Sequence, residues 1–156
     1  MAWNAPLQSL FRQQDLPISL EEAWAFFSRP DNLAKITPDD LGFEVTSRLP
    51  EQMYAGMVVS YRVRPLTGVA VPWVTEITHV REPFFFVDEQ RSGPYRFWHH
   101  QHLFDRIDGG VRMTDLVHYQ LPFGWPGHLL AGSLVANRLA HIFNFRTRVL
   151  AEQFPG

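Results

Sequence analysis

The end of the chain most restricts what it can fold into. From about His128 to Phe154 an unbroken helical period carries Leu130, Leu134, Leu139, Phe143, Arg146 and Leu150 on one stripe. A helix of roughly 26 residues spans about 39 Å at 1.5 Å per residue, so its stripe needs a broad apolar partner. The preceding chain supplies one, because its period is two. Phe43 to Arg48, Gly56 to Arg64, Val69 to Val80 and Phe84 to Arg91 read as strands, with Pro72 marking an edge position or a bulge. Two more strands flank Asp108-Gly109, a two-residue hairpin turn. Ahead of them, Trp3 to about Gln14 alternates as a first strand. Ser19 with Glu22 forms a capping box for a helix that Arg29-Pro30 stops, and Asp31 caps a second short helix. Leu121 to Gly127 reads as loop.

The order is therefore strand, two short helices, six strands in a meander, and a long helix. Short turns between consecutive strands imply an antiparallel sheet, which makes this an α+β chain. A curved seven-stranded sheet around the last helix would leave a cavity between them. Apolar residues make up 46% and charged residues 19%, so residues 1–156 read as one globular domain with a real core. A formal net charge of -2 gives no attraction to nucleic acid or anionic membrane. The lack of cysteine removes disulfides, thiolate metal sites and cysteine nucleophiles. Neither a secretory leader nor a membrane-spanning apolar run is present, so a cytoplasmic protein is the expectation.

The hairpin around Asp108-Gly109 carries the most chemistry. Trp98, His100, His102 and Phe104 share one strand face; a two-residue turn sets His102 opposite Asp115 and His100 opposite Val117, while a loop shifted by one residue sets His102 opposite Val117 with Asp115 diagonal on the same face. That face is too polar for plain core and too aromatic for plain surface, and reads as a pocket wall. His99 and His118 fall on the other, exposed face.

Several strings resemble the START-like, Bet v 1-like superfamily, the SRPBCC ligand-binding domains. They are Asp31-Asn32-Leu33-Ala34-Lys35-Ile36-Thr37-Pro38, Phe86-Val87-Asp88-Glu89-Gln90, and Gly93-Pro94-Tyr95 followed by Trp98, His100 and His102. Asp115, Val117, Tyr119, Pro122 and Ile142-Phe143-Asn144-Phe145-Arg146 continue the match. The chain is most similar to the bacterial single-domain, polyketide cyclase-like branch. The resemblance implies a helix-grip fold with a deep cavity, and no single activity.

The expected function is binding of a small hydrophobic or amphipathic molecule, such as a lipid, isoprenoid, quinone or aromatic polyketide. His100, His102, Asp115, Tyr119, Asp88, Gln90 and Arg146 would anchor its polar end. Trp73, Trp98, Phe104 and Phe143 would cover the rest. Asp88 and Gln90 join this face only if the loop through Gly93-Pro94-Tyr95 has odd length. Arg146 is read equally as a ligand anchor and as a salt bridge from helix to sheet. The alternative is a cyclase, dehydratase or isomerase that uses His102 hydrogen-bonded to Asp115, with Tyr119 as proton donor. A metal held by His100, His102 and Asp115 is the weaker reading, and no metal or cofactor is expected. Trp24, Phe26 and Phe27 are read as core.

Overall fold

The computed structural model describes residues 5–66 and 68–156. Strand β1 spans Gln8–Leu16, helix α1 Leu20–Phe27 and helix α2 Pro30–Leu33. Single 3₁₀ turns follow at Ala34–Ile36 and Asp39–Leu41. Strands β2 (Glu44–Val45), β3 (Met57–Val63), β4 (Val71–Arg81), β5 (Phe85–Ser92), β6 (Phe97–Ile107) and β7 (Gly110–Gln120) precede helix α3, Gly124–Gln153. All neighbours are antiparallel in one seven-stranded sheet, ordered β1-β7-β6-β5-β4-β3-β2. The expected seven-stranded curved sheet and terminal helix are the observed architecture. No described helix is long and apolar enough to cross a membrane.

Local chemistry explains the boundaries. Ser19 Oγ accepts the Glu22 N–H at 3.1 Å and Glu22 returns the bond to the Ser19 N–H at 2.9 Å, which starts α1. Asp31 does not cap α2. Arg29 occupies that position without a side-chain bond, Pro30 presets the first turn, and Asp31 pairs with Arg29 at 3.2 Å instead. The part of the first strand expected over Trp3 and Asn4 lies outside the described residues. The strand expected from Phe43 to Arg48 shrinks to two residues. The Ser47 hydroxyl takes the Ser60 N–H at 3.0 Å, so a side chain replaces the next backbone acceptor of the ladder. Pro72 pairs with Arg62 of β3, while pairing with β5 begins only at Val74, so among the described residues no strand meets the proline's other side. Gly109 in the turn takes φ +81°, and a Cβ on Gly110, the first residue of β7, would meet the Leu16 carbonyl oxygen at 2.0 Å, so both positions call for glycine.

Helix α3 begins at Gly124, inside the segment expected to be loop. Pro126 falls in its first turn, where a missing N–H costs nothing because no carbonyl precedes it. The apolar stripe does not pack along its full length. Leu130 is 87% exposed and Leu134 57%, whereas Val135, Leu139, Phe143, Arg146 and Leu150 are buried. One apolar cluster gathers Trp24, Phe86, Phe104, Met113 and Leu150, and a second gathers Trp98, Val117, Tyr119, Leu139 and Phe143. On the inner face of β6 the two are separated by His100 and His102.

Candidate functional site

An internal cavity of about 170 Å³ opens between the sheet and α3. Tyr61, Val63, Trp73, Thr75 and Ile77 line it from β3 and β4, and Leu139, Ile142 and Phe143 from α3. Phe26, Phe27, Asn32 and Leu33 close it from α1 and α2, and Phe43 and Tyr95 from the loops. Its polar wall is built on three adjacent strands. Asp88 of β5 faces His100 of β6, and His102 of β6 faces Asp115 of β7. Because side chains alternate along each strand, that register puts all four on the inner face.

The hydrogen bonds run diagonally. His102 Nε2 lies 2.6 Å from Asp88 Oδ2, and His100 Nε2 lies 2.7 Å from Asp115 Oδ1. The expected bond from His102 to Asp115 is replaced: His102 Nδ1 is 3.5 Å from that carboxylate, and the bond comes from His100. Diagonal neighbours across a sheet lie within reach of an imidazole, and the two rings stack with centroids 3.7 Å apart at 29°. Phe86 covers the other face of His102 at 4.1 Å and 16°. Trp98 Nε1 donates to Asp88 Oδ1 at 3.3 Å. Arg146 reaches down from α3, its Nη1 3.3 Å from Asp115 Oδ1 and its guanidinium 4.7 Å from the Phe143 ring centre. Arg146 Nε is buried and has no hydrogen-bond partner among the described residues.

This arrangement sets the charges. Burial lowers the His102 pKa to about 4, with His100 adding repulsion and Asp88 opposing both, so the ring is neutral near pH 7. Burial works to raise Asp115, but its hydrogen bond from His100 and the charge of Arg146 prevail and hold it far below the usual carboxylate range. Asp88 is likewise lowered: His100, His102 and Trp98 outweigh the effect of burial. Burial and the Asp88 charge raise Tyr61, which stays a phenol.

Of the residues singled out from sequence, Trp73, Asp88, Trp98, His100, His102, Phe143 and Arg146 line the cavity. Asp115 sits behind the wall at 2% exposure and touches the cavity through His100 and Arg146. Gln90 turns away and clasps its own loop, giving and taking hydrogen bonds with the Tyr95 backbone at 2.6 and 3.0 Å. Phe104 is core, packed against Trp24, Phe27 and Phe86. Tyr119 is buried in the second apolar cluster, so the His102, Asp115 and Tyr119 trio does not assemble at the cavity surface. His99 and His118 do lie on the outer face, half-buried against each other rather than fully exposed. Phe26 and Phe27, read as core, face the cavity. Tyr61 was not singled out, although its strand alternates cleanly and the run Met57, Val59, Tyr61, Val63 marks it as inward-facing.

Comparison with solved structures places the fold. A protein of Thermus thermophilus aligns over 94% of this chain and 97% of its own, at 16% identity and a TM-score of 0.71. Ginseng major latex-like protein 151 from Panax ginseng aligns over 96% and 99%, at 15% identity and a TM-score of 0.68. A nucleoside-diphosphate sugar epimerase from Corynebacterium glutamicum aligns over 92% of this chain but 28% of its own, at 22% identity and a TM-score of 0.66. No protein-family model matches the chain, and no curated protein matches it by sequence. The chain has the Bet v 1-like, helix-grip fold.

Proposed function

We propose that this chain, acting as one domain, binds a small hydrophobic or amphipathic molecule in the cavity between sheet and α3. One observation carries the reading: apolar and aromatic walls enclose the space, and its polar groups converge on one cluster. At about 170 Å³ the cavity is near the size that holds a single aromatic ring. Among the expected ligand classes a quinone ring suits it best, and a simple phenol has the same size. A longer lipid, isoprenoid or polyketide needs α1 and α2 to part from α3. Arg146 lines the cavity beside this cluster, and its guanidinium suits a ligand carbonyl or phenol oxygen.

The test is a titration with simple phenols and quinones, followed by the fluorescence of Trp73 and Trp98. Saturable quenching that disappears in Ile142→Trp, whose indole fills the cavity, supports the reading. Absence of binding to the native chain, or binding that Ile142→Trp leaves intact, overturns it.

A second reading rests on His102, a neutral imidazole on the cavity wall hydrogen-bonded to Asp88. To take a proton from a bound carbon acid, as an isomerase, cyclase or dehydratase requires, its Nε2 must leave Asp88 and present a lone pair to the cavity. In that case His102→Ala loses turnover by about 10²-fold or more while ligand affinity changes little.

A further inference from the structure

His100 Nε2 is committed to Asp115, so in the neutral ring the lone pair is on Nδ1. That nitrogen faces Asp88 Oδ2 at 3.6 Å. Two acceptors point at each other across a gap, and His102 Nε2 borders the same gap, 2.6 Å from the same carboxylate oxygen. Asp88 and Asp115 bring two buried carboxylates to this point, and the Arg146 guanidinium pairs with Asp115. Something positive belongs between these three donors.

We infer that Asp88, His100 and His102 form a binding site for a divalent transition-metal ion of the zinc class, open to the cavity. Their donor atoms all lie within 4.8 Å of one another. Zinc bonds of about 2.1 Å in a tetrahedral site put neighbouring donors about 3.4 Å apart. The two separations from Asp88 Oδ2, 2.6 and 3.6 Å, bracket that value, and the stacked rings must turn out of their 29° stack for both lone pairs to meet one ion.

The outer layer fits as well. A metal-ligating histidine normally gives its other N–H to a carboxylate, and here one carboxylate serves both rings. Asp115 Oδ1 holds His100 Nε2 at 2.7 Å and stands 3.5 Å from His102 Nδ1, which becomes its donor once Nε2 is coordinated. Arg146 pins Asp115 from α3. Two imidazoles and one carboxylate suit zinc, cobalt, nickel or iron(II) rather than magnesium or calcium. Three protein ligands leave a fourth coordination position towards the cavity, which an anionic ligand oxygen can fill. The inference deepens the proposed ligand site by giving its polar end an ion for a phenolate, enolate or carboxylate.

The experiment uses the chelator-treated chain and cobalt(II) as probe. The expected result is one equivalent of cobalt with visible absorption bands, displaced by zinc. Asp88→Asn keeps the side-chain size and an acceptor for Trp98, and should weaken affinity by about 10-fold or more. His99→Ala, which breaks the outer-face histidine pair, should leave it unchanged, and circular dichroism shows that both variants are folded. Lack of one-equivalent binding, or equal affinity in Asp88→Asn, overturns the site and leaves the gap to a shared proton. Titration of the organic ligand with chelator present separates the two ideas, since the cavity can bind its ligand without the ion.

Discussion

His100 and His102 stack face to face, yet each bonds to a carboxylate on a different neighbouring strand, His102 to Asp88 on β5 and His100 to Asp115 on β7. The stack sets two buried rings 3.7 Å apart, each held by its own carboxylate rather than by a shared one. The crossed bonds tie three strands together through charged acceptors, and Arg146 ties α3 to the same point.

Acid should weaken the fold through His102. Its folded pKa of about 4 lies below the ordinary 6.5, so between those values the unfolded chain takes up a proton that the folded chain refuses. Stability is full above 6.5 and falls as pH drops toward 4, by roughly 3 kcal/mol from this group. Below pH 3.8 the lowered carboxylates Asp88 and Asp115 continue the loss as they protonate. Denaturant midpoints across this range should slope less in His102→Gln. An equal slope in both proteins would assign the acid sensitivity elsewhere.

Asp115→Ala should be among the most damaging single changes. It leaves Arg146 buried without its counterion and His100 without its acceptor. Breaking a buried pair from one side costs about 3–5 kcal/mol. Urea unfolding measures this. A loss under about 1 kcal/mol would show that water enters and solvates the guanidinium.

Phe104 tests the boundary between core and wall. It is 1% exposed, in edge and tilted contact with Trp24 and Phe27. Phe104→Ala should cost about 3–5 kcal/mol through the void it leaves. Phe104→Leu, which keeps most of the volume, should bind the cavity ligand as the native chain does. A selective loss of binding in Phe104→Leu would place this ring in the cavity.

Phe123 sits at φ +64° and is 86% exposed, so it suffers left-handed backbone strain with no packing in return. Asparagine tolerates that conformation better. Phe123→Asn should therefore stabilise by about 0.5–1 kcal/mol, seen as a higher thermal midpoint. A lower midpoint would mean that the exposed ring is covered in solution.

The fold was legible where the sequence offered a period and a stop. The Asp108-Gly109 signal narrowed the register of β6 and β7 to two choices, and the two-residue turn that pairs His102 with Asp115 is the one observed. The odd spacing that sets Asp88 opposite His100 was visible only as a condition, because loop geometry and not residue pattern decides it. The crossing of the hydrogen bonds was not legible, since a period of two assigns a face and says nothing about rotamers. Tyr119 went astray for the same reason: it is on the correct face, but one apolar cluster away. The stripe on α3 overstated its packing because helical period does not report where the covering sheet reaches, and Leu130 and Leu134 are left exposed.

The strand order has a consequence for how the chain is made. Each of β2 to β7 can pair with the strand just before or after it, but β1 pairs only with β7, joining Gln8 to Tyr119 and Leu16 to Val111. During synthesis β1 is the first strand to emerge and the last to find its neighbour. It must wait through every hairpin of the meander while the loop between the partners is closed. The sheet edge that β1 covers is therefore bare until late in folding, and assembly of the nascent protein is timed by its first strand.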